Sequence, residues 1–213
     1  MSSVLPVMRH PVGPIAQSTT ATGSPVAPVT PVTWDAATKG ADLTLSNGDL
    51  TGTTTQYDNW AAVRSTNSHS SGKYAITGVF TYPGDPWDGE VAFGFCTEGF
   101  DTIASVNPLT NALCWSLVAG GGGYHDSNNT VCGQVLTTEA GFLYIDFDAG
   151  KMWLDNDTQA TAADREAGIN ENFAFAPNTE FYAFCSLFSN DPPLPVSLDF
   201  DPTFSSGTFL AWQ

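Results

Sequence analysis

Clustered aspartates are the first side chains in this sequence whose types and spacing could do chemistry. They are Asp146, Asp148, Asp155 and Asp157. Carboxylate oxygens are the ligands that calcium prefers, and the pattern Asp-x-Asp-x-Gly at 146–150 is superficially similar to part of an EF-hand loop. The rest of that signature is absent. We therefore expect no metal site, with calcium as the alternative.

The sequence contains no recognisable arrangement of catalytic residues. A glycoside hydrolase needs two carboxylates that face each other across a cleft, but the Glu-x-Asp-x-x-Glu strand pattern of one sandwich hydrolase family is absent. A serine nucleophile needs a nearby histidine and acid, whereas His10 lies near the N-terminus and His69 and His125 are interpreted as surface-loop residues. The glycines at 120–123 lack the Lys-Ser/Thr of a phosphate-binding loop. We expect a protein that is not an enzyme and uses no cofactor.

Short strands must position all of these residues. Leu143, Ile145 and Phe147 alternate with Tyr144, Asp146 and Asp148, which predicts a half-buried strand with both aspartates on its outer face or in the next turn. The sequence DAGK at 148–151 supplies turn chemistry, and MWL at 152–154 begins the return strand of a hairpin.

Strand patterns of this kind recur from residue 34 onwards. They cover residues 43–46, 60–66, 74–82, 90–96, 113–118, 179–188, 196–200 and 208–212. Asn47-Gly48 predicts a two-residue turn, and residues 161–167 fit a short helix capped by Thr158 or Thr161. The sequence predicts an all-β fold, in which residues 34–213 form a two-sheet antiparallel β-sandwich.

Residues 1–33 differ from the rest of the chain. They hold prolines at 6, 11, 14, 25, 28 and 31 and no acidic residue, which favours an extended polyproline-type arm. Their apolar side chains could dock onto another protein: Val4, Leu5, Val7, Met8, Val12 and Ile15. We expect an anchoring arm; the alternative is a leader that does nothing. It lacks the features of a signal peptide, so we expect synthesis in a cytoplasm without export by that route.

The charge balance narrows the range of partners. Twenty-two acidic residues oppose six basic ones, giving a net charge of −16. Such a surface repels phosphate backbones, so we expect no nucleic-acid binding. No segment approaches the length of a membrane span. Mutual repulsion would keep a protein displayed in many copies soluble, whereas a cationic partner, a divalent metal or a neutral glycan is compatible with the same charge.

The four cysteines contain no CxxC pair, so they give little indication of a metal site. Cys96, Cys114 and Cys185 lie in apolar runs, which predicts reduced, buried thiols. Cys132 follows a polar loop, and a disulfide between Cys114 and Cys132 is the alternative.

Several segments in one order resemble a SPRY domain. They are WD at 34–35, LSNG at 45–48, WAAVRS at 60–65, SGKY at 71–74, VAFGF at 91–95, WSL at 115–117, the 141–156 hairpin, FYAF at 181–184 and VSLDF at 196–200. The resemblance implies a concanavalin A-like β-sandwich that acts as a binding module. Loops 97–112 and 119–133 resemble no ligand loop of the family.

SPRY domains present variable loops on a rigid scaffold, so aromatic residues in polar loops are the candidate ligand contacts. They are Tyr57, Trp87, Phe100 and Tyr124. The alternative is that these rings cover the edge of the core.

Because SPRY-like domains occur in phage structural proteins, we expect a multi-copy virion surface protein, a capsid or tail decoration protein of a bacteriophage. Its arm would bind other virion proteins and its sandwich would project outward. The alternative is an adhesin whose loops bind a host-surface glycan or protein. A sandwich hydrolase and an intracellular SPRY adaptor fit less well, since the carboxylate pattern and the usual companion domains are missing.

Overall fold

Two β-sheets pack face to face in the structure, a computed structural model that describes residues 31–55, 59–81, 89–118, 123–125, 128–130, 140–155, 160–189 and 195–213. The predicted all-β sandwich is confirmed. Elements are numbered in chain order.

The first sheet contains eight strands. They are β1 (Thr44–Ser46), β2 (Thr51–Thr54), β4 (Lys73–Thr81), β9 (Ala140–Asp146), β10 (Lys151–Asp155), β11 (Phe173–Ala174), β13 (Val196–Asp201) and β14 (Leu210–Ala211). Hydrogen bonds order them β1-β2-β13-β4-β9-β10-β11, and β14 pairs in parallel with β4. The predicted hairpin is present as β9 and β10, with Lys151 opposite Asp146.

The second sheet contains six strands. They are β3 (Ala61–His69), β5 (Gly89–Cys96), β6 (Cys114–Val118), β7 (Gly123–His125), β8 (Asn128–Thr130) and β12 (Phe181–Ser189). Their order is β3-β12-β5-β6-β7-β8. A 3₁₀-helix (Pro108–Thr110) and a single α-helix, α1 (Ala162–Ala167), complete the described elements.

The main core lies between the sheets and follows the period-2 alternation of the strands. Phe93 and Phe95 of the second sheet face Phe80 and Leu143 of the first, and all four are fully buried. Removing these large apolar surfaces from water provides the main driving force for packing the two sheets together.

The segment before the first strand already belongs to this core. Val32 and Trp34 are each 1% exposed, and the Trp34 indole stacks on Phe200 with ring centroids 4.3 Å apart. The Thr33 amide donates to the Thr66 hydroxyl of β3, 3.3 Å away. Residue 32 therefore already belongs to the packed core.

The β1–β2 connection differs from the predicted two-residue turn. Ser46 pairs with Thr51, so four residues connect the strands. Asn47, Gly48 and Asp49 all have positive φ angles (54°, 65° and 62°). Asparagine, aspartate and glycine tolerate this left-handed conformation better than other residues. The loop is two residues longer than predicted, and three of its four residues are of types that suit a positive φ angle.

The outer face of β9 is buried at Tyr144 and Asp146, although Phe142 on the same face is only partly buried, so the prediction of a half-buried strand is wrong at these two positions. Tyr144 is 1% exposed and Asp146 is 4% exposed. The guanidinium of Arg165, from α1, lies 3.9 Å from the Tyr144 ring centroid, and the Asp146 carboxylate pairs with Lys73 at 3.0 Å. A helix far along the chain thus covers this face. The helix itself was predicted, and Thr161 caps it with a reciprocal capping box to Asp164.

Three cysteines are buried free thiols, as predicted: Cys96, Cys114 and Cys185. Burial raises the pKa of each of these thiols, which keeps them protonated and unreactive. The Cys114 thiol donates to the Pro108 carbonyl at 3.4 Å. Cys132 lies outside the described residues.

Gly94 of β5 marks a close approach between β5 and β6. A Cβ at this position would overlap the carbonyl oxygen of Trp115 and lie 2.8 Å from the Cα of Ser116. We expect Gly94→Ala to lower the free energy of unfolding by about 2–3 kcal/mol, because main-chain atoms of β6 would have to move. Urea denaturation followed by tryptophan fluorescence measures the change.

Gly99→Ala is the matched control, because its Cβ would meet only the Leu113 side chain, at 3.4 Å. Its stability should stay within about 0.5 kcal/mol of the unmodified protein. Equal effects of the two substitutions would contradict the close approach at Gly94.

Candidate binding site

The predicted site residues fall mostly outside the described part of the chain. This holds for the six arm residues, for Tyr57 and Trp87, and for the side chain of Tyr124, whose backbone lies in β7. Those predictions stay predictions.

Phe100 is described, and it follows the alternative, in which its ring covers the edge of the core. Its side chain is 2% exposed and packs against the Phe184 ring, with centroids 5.4 Å apart. It belongs to a cluster on the outer face of the second sheet with Ala62, Cys96 and Cys114. The polar loop that carries Phe100 folds back over this face, so its aromatic residue fills the contact instead of facing solvent.

This loop, residues 97–113, is held by backbone-directed side chains. The Thr97 amide donates to the Leu113 carbonyl at 2.9 Å and closes the base of the loop. Asp101 Oδ1 accepts from the amides of Ile103 and Ala104 at 2.9 and 3.1 Å. Aspartate and asparagine make such local turns readily, and Asn107 and Asn111 do the same further along. These hydrogen bonds hold the backbone of the loop in a defined conformation, so the loop can position side chains for a binding site.

An open pocket of about 280 Å³ lies between this loop, β3 and the segment before β1. Its lining residues are Thr38, Arg64, Glu98, Gly99, Phe100, Asp101, Thr102 and Ile103. Thr102 ties the loop to the opposite wall, because its hydroxyl donates to the Thr38 carbonyl. We call this depression the Arg64 pocket.

Arg64 is the distinctive group in the pocket. Its guanidinium carbon lies 4.4 Å from the Tyr182 ring centroid, and Nη1 donates to the Glu98 carbonyl at 3.3 Å. The Nε–H is buried without an acceptor. In contrast to Lys73 and Lys151, which pair with carboxylates at 3.0 and 3.3 Å, Arg64 has no ion pair among the described residues.

Aliphatic side chains border the same loop. Ile103, a lining residue, is 66% exposed, and Leu113 at the base of the loop is 38% exposed. Isolated exposed aliphatics are common on protein surfaces. Ile103, however, lines the same pocket as Arg64, and this combination of an exposed aliphatic side chain with a cation makes the pocket amphipathic.

The pocket holds no catalytic arrangement. Its lining has no histidine, cysteine or serine, and Asp101 is already occupied by two backbone amides. The described residues contain no cluster of three or more histidine, cysteine or carboxylate side chains suited to a metal ion. Of the aspartates considered for calcium, Asp146 pairs with Lys73 and Asp148 accepts from the Gly72 amide at 3.1 Å.

The histidines interpreted as loop residues lie in strands instead. His69 ends β3, stacks on Tyr74 at 4.0 Å and meets the Trp212 ring at 4.7 Å. His125 lies in β7, stacks on Trp115 at 4.0 Å and has Nδ1 3.0 Å from the Cys114 carbonyl. Both rings extend aromatic packing.

Comparison with known proteins places the fold. No family model matches the sequence, and no curated protein matches it either. The SPRY domain of human HERC1 superposes with a TM-score of 0.59 over 78% of this chain and 96% of that one, at 13% identity. The fold is that of a SPRY domain.

Two further structures agree with this SPRY fold. The PSpry domain of TRIM65 matches with a TM-score of 0.56 and 13% identity, covering 80% of this chain and 88% of its own. Stonustoxin matches with a TM-score of 0.56 and 17% identity, over 80% of this chain and 27% of the toxin. At such low identity these likenesses establish the fold alone. In the described residues, no helix is long and apolar enough to cross a membrane.

His69 makes stability depend on pH. Burial lowers its pKa below the ordinary value, because charging a half-buried imidazole is costly. A lowered histidine pKa means that its stabilisation is complete above the unfolded pKa and is lost as pH falls through the folded pKa. We expect the unfolding free energy to drop between about pH 7 and about pH 5, and to drop less in His69→Phe.

Urea denaturation at several pH values measures both curves. Taking the difference between the variants cancels the opposing contribution of Glu90, whose pKa burial raises. Parallel curves for the two proteins would refute the role of His69.

Proposed function

We propose that the protein is a non-catalytic binding and display module, a decoration protein on the capsid or tail of a bacteriophage virion. The sandwich presents a binding surface, and the N-terminal arm attaches it to other virion proteins. The observation that carries the binding part is Arg64, which has no ion pair among the described residues and is held over the Tyr182 ring in an open pocket.

The anchoring part rests on the arm's sequence and on where the arm joins the domain. Residues 1–33 combine proline every third residue at 25, 28 and 31 with six aliphatic or sulfur-containing side chains near the start. A stiff, apolar arm loses less conformational entropy on docking than a flexible one. Because Val32 and Thr33 are fixed against the core and β3, the arm would emerge at the edge of the second sheet.

The display part rests on charge. A net charge of −16 makes neighbouring copies repel one another, which favours solubility of a protein present at high local concentration. The same charge disfavours a nucleic-acid partner, because it repels phosphate backbones.

Deleting residues 1–31 tests the anchor. We expect the truncated protein to keep its fold, because Val32 and Trp34 remain to fill the core, and to lose incorporation into virions. Circular dichroism checks the fold, and quantitative mass spectrometry of purified particles counts the copies. Normal incorporation of a folded, truncated chain would sink the anchoring proposal.

A control of full length separates arm length from arm chemistry. Six serine substitutions keep the prolines and remove the apolar contacts, at Val4, Leu5, Val7, Met8, Val12 and Ile15. This variant should be lost from particles like the deletion.

The alternative, a host-receptor or glycan-binding adhesin, is favoured by the built loop and its exposed border residue Ile103. In that case, Trp87→Ala and Tyr124→Ala should reduce binding of particles to host cells by about tenfold or more while leaving particle composition unchanged. Flow cytometry with labelled particles measures the binding. Undiminished cell binding by the folded double variant would argue against an adhesin that uses these rings.

A further inference from the structure

We propose that the Arg64 pocket binds a carboxylate carried on a small aliphatic group, such as the C-terminal or acidic residue of a partner peptide. The inference rests on the proposed binding function and names the chemistry of its ligand. It is drawn from four features of the pocket: a cation that has no ion pair among the described residues, its restrained orientation, an exposed apolar lining residue and a small volume.

The cation is unusual in its surroundings. The whole chain has six basic residues against twenty-two acidic ones, so a basic residue has many carboxylates to pair with. Lys73 and Lys151 do pair, whereas Arg64 is held by a carbonyl oxygen and a ring face. An anionic ligand would supply the ion-pair partner that Arg64 lacks among the described residues.

Its orientation is set before any ligand arrives. The guanidinium carbon lies 4.4 Å from the Tyr182 ring centroid, and Nη1 donates to the Glu98 carbonyl, so two contacts restrain the guanidinium. A planar, preorganised guanidinium matches the two oxygens of a carboxylate and forms paired hydrogen bonds with them. The buried Nε–H without an acceptor indicates that the hydrogen bonding of Arg64 is incomplete in the free protein.

The border of the pocket selects among anions. Glu98 and Asp101 also line the pocket, and their negative charge disfavours a phosphate dianion more than a carboxylate monoanion. Ile103, with 66% of its surface exposed, offers apolar contact to the group that carries the carboxylate. A volume of about 280 Å³ lies at the small end of ligand sites and fits about one residue rather than a long chain.

Two probes of equal size isolate the charge: N-acetyl-L-leucine and its neutral amide, N-acetyl-L-leucinamide. We expect titration with the acid, followed by ¹H–¹⁵N NMR, to shift the amides of residues 98–103 and the Arg64 Nε–H resonance. The amide should bind at least tenfold more weakly. Inorganic phosphate at the same ionic strength should also bind more weakly than the acid.

Arg64→Gln should weaken binding of the acid at least tenfold. Lys39→Gln is the matched control, because it removes one positive charge at a residue that is not part of the pocket lining; the Lys39 Nζ donates to the Leu43 carbonyl. It should change affinity less than twofold. Retained chemical-shift dispersion shows that each variant is folded, and Ile103→Ser provides a second test by weakening the acid without changing the cation.

Equal affinity for acid and amide, or undiminished binding by Arg64→Gln, would overturn the inference, as would the absence of any shift at millimolar acid. Tighter binding of phosphate than of the acid would also overturn the inference, because the pocket would then prefer a different class of anion. These results are independent of virion incorporation, so the ligand chemistry can fail while the anchoring proposal stands.

Discussion

Burial of Phe100 against Phe184 is the contact on which the candidate site depends. The outer face of the second sheet carries Ala62, Cys96 and Cys114, which would be exposed apolar surface without a cover. The 97–113 loop supplies that cover, and the pocket lies where the loop passes β3. Hydrophobic burial therefore fixes the backbone of residues 98–103, and the site is a by-product of covering a sheet.

A rigid scaffold with a structured loop is a sound way to build a binding surface. The loop's hydrogen bonds run to its own backbone through aspartate and asparagine side chains, and Thr102 ties it to the segment before β1. Little conformational entropy is then left to lose when a ligand arrives. Arg64 would likewise lose little conformational entropy on binding, because the Tyr182 ring and the Glu98 carbonyl already hold its side chain in place.

Sequence patterns predict the elements better than they predict what covers them. The alternation of Leu143, Ile145 and Phe147 identifies β9 because period 2 is a local property. Burial of Tyr144 and Asp146 involves Arg165 of α1 and Lys73, respectively, which are distant in the sequence, so no local pattern could reveal it. The sequence could not decide between a ligand contact and a core contact for Phe100 for the same reason, because a polar loop does not show which face of a sheet it packs against.

Arg64 illustrates the limit most clearly. Its neighbours Val63 and Ser65 identify a strand, whereas the absence of an ion pair to Arg64 among the described residues is a property of the tertiary structure. The structure of the protein in its native assembly, determined by electron cryomicroscopy, tests the whole account most directly. If the protein is a decoration protein as proposed, the arm is ordered against another virion protein and the Arg64 pocket faces outward. A pocket buried against the particle, with the arm making no contact, would contradict it.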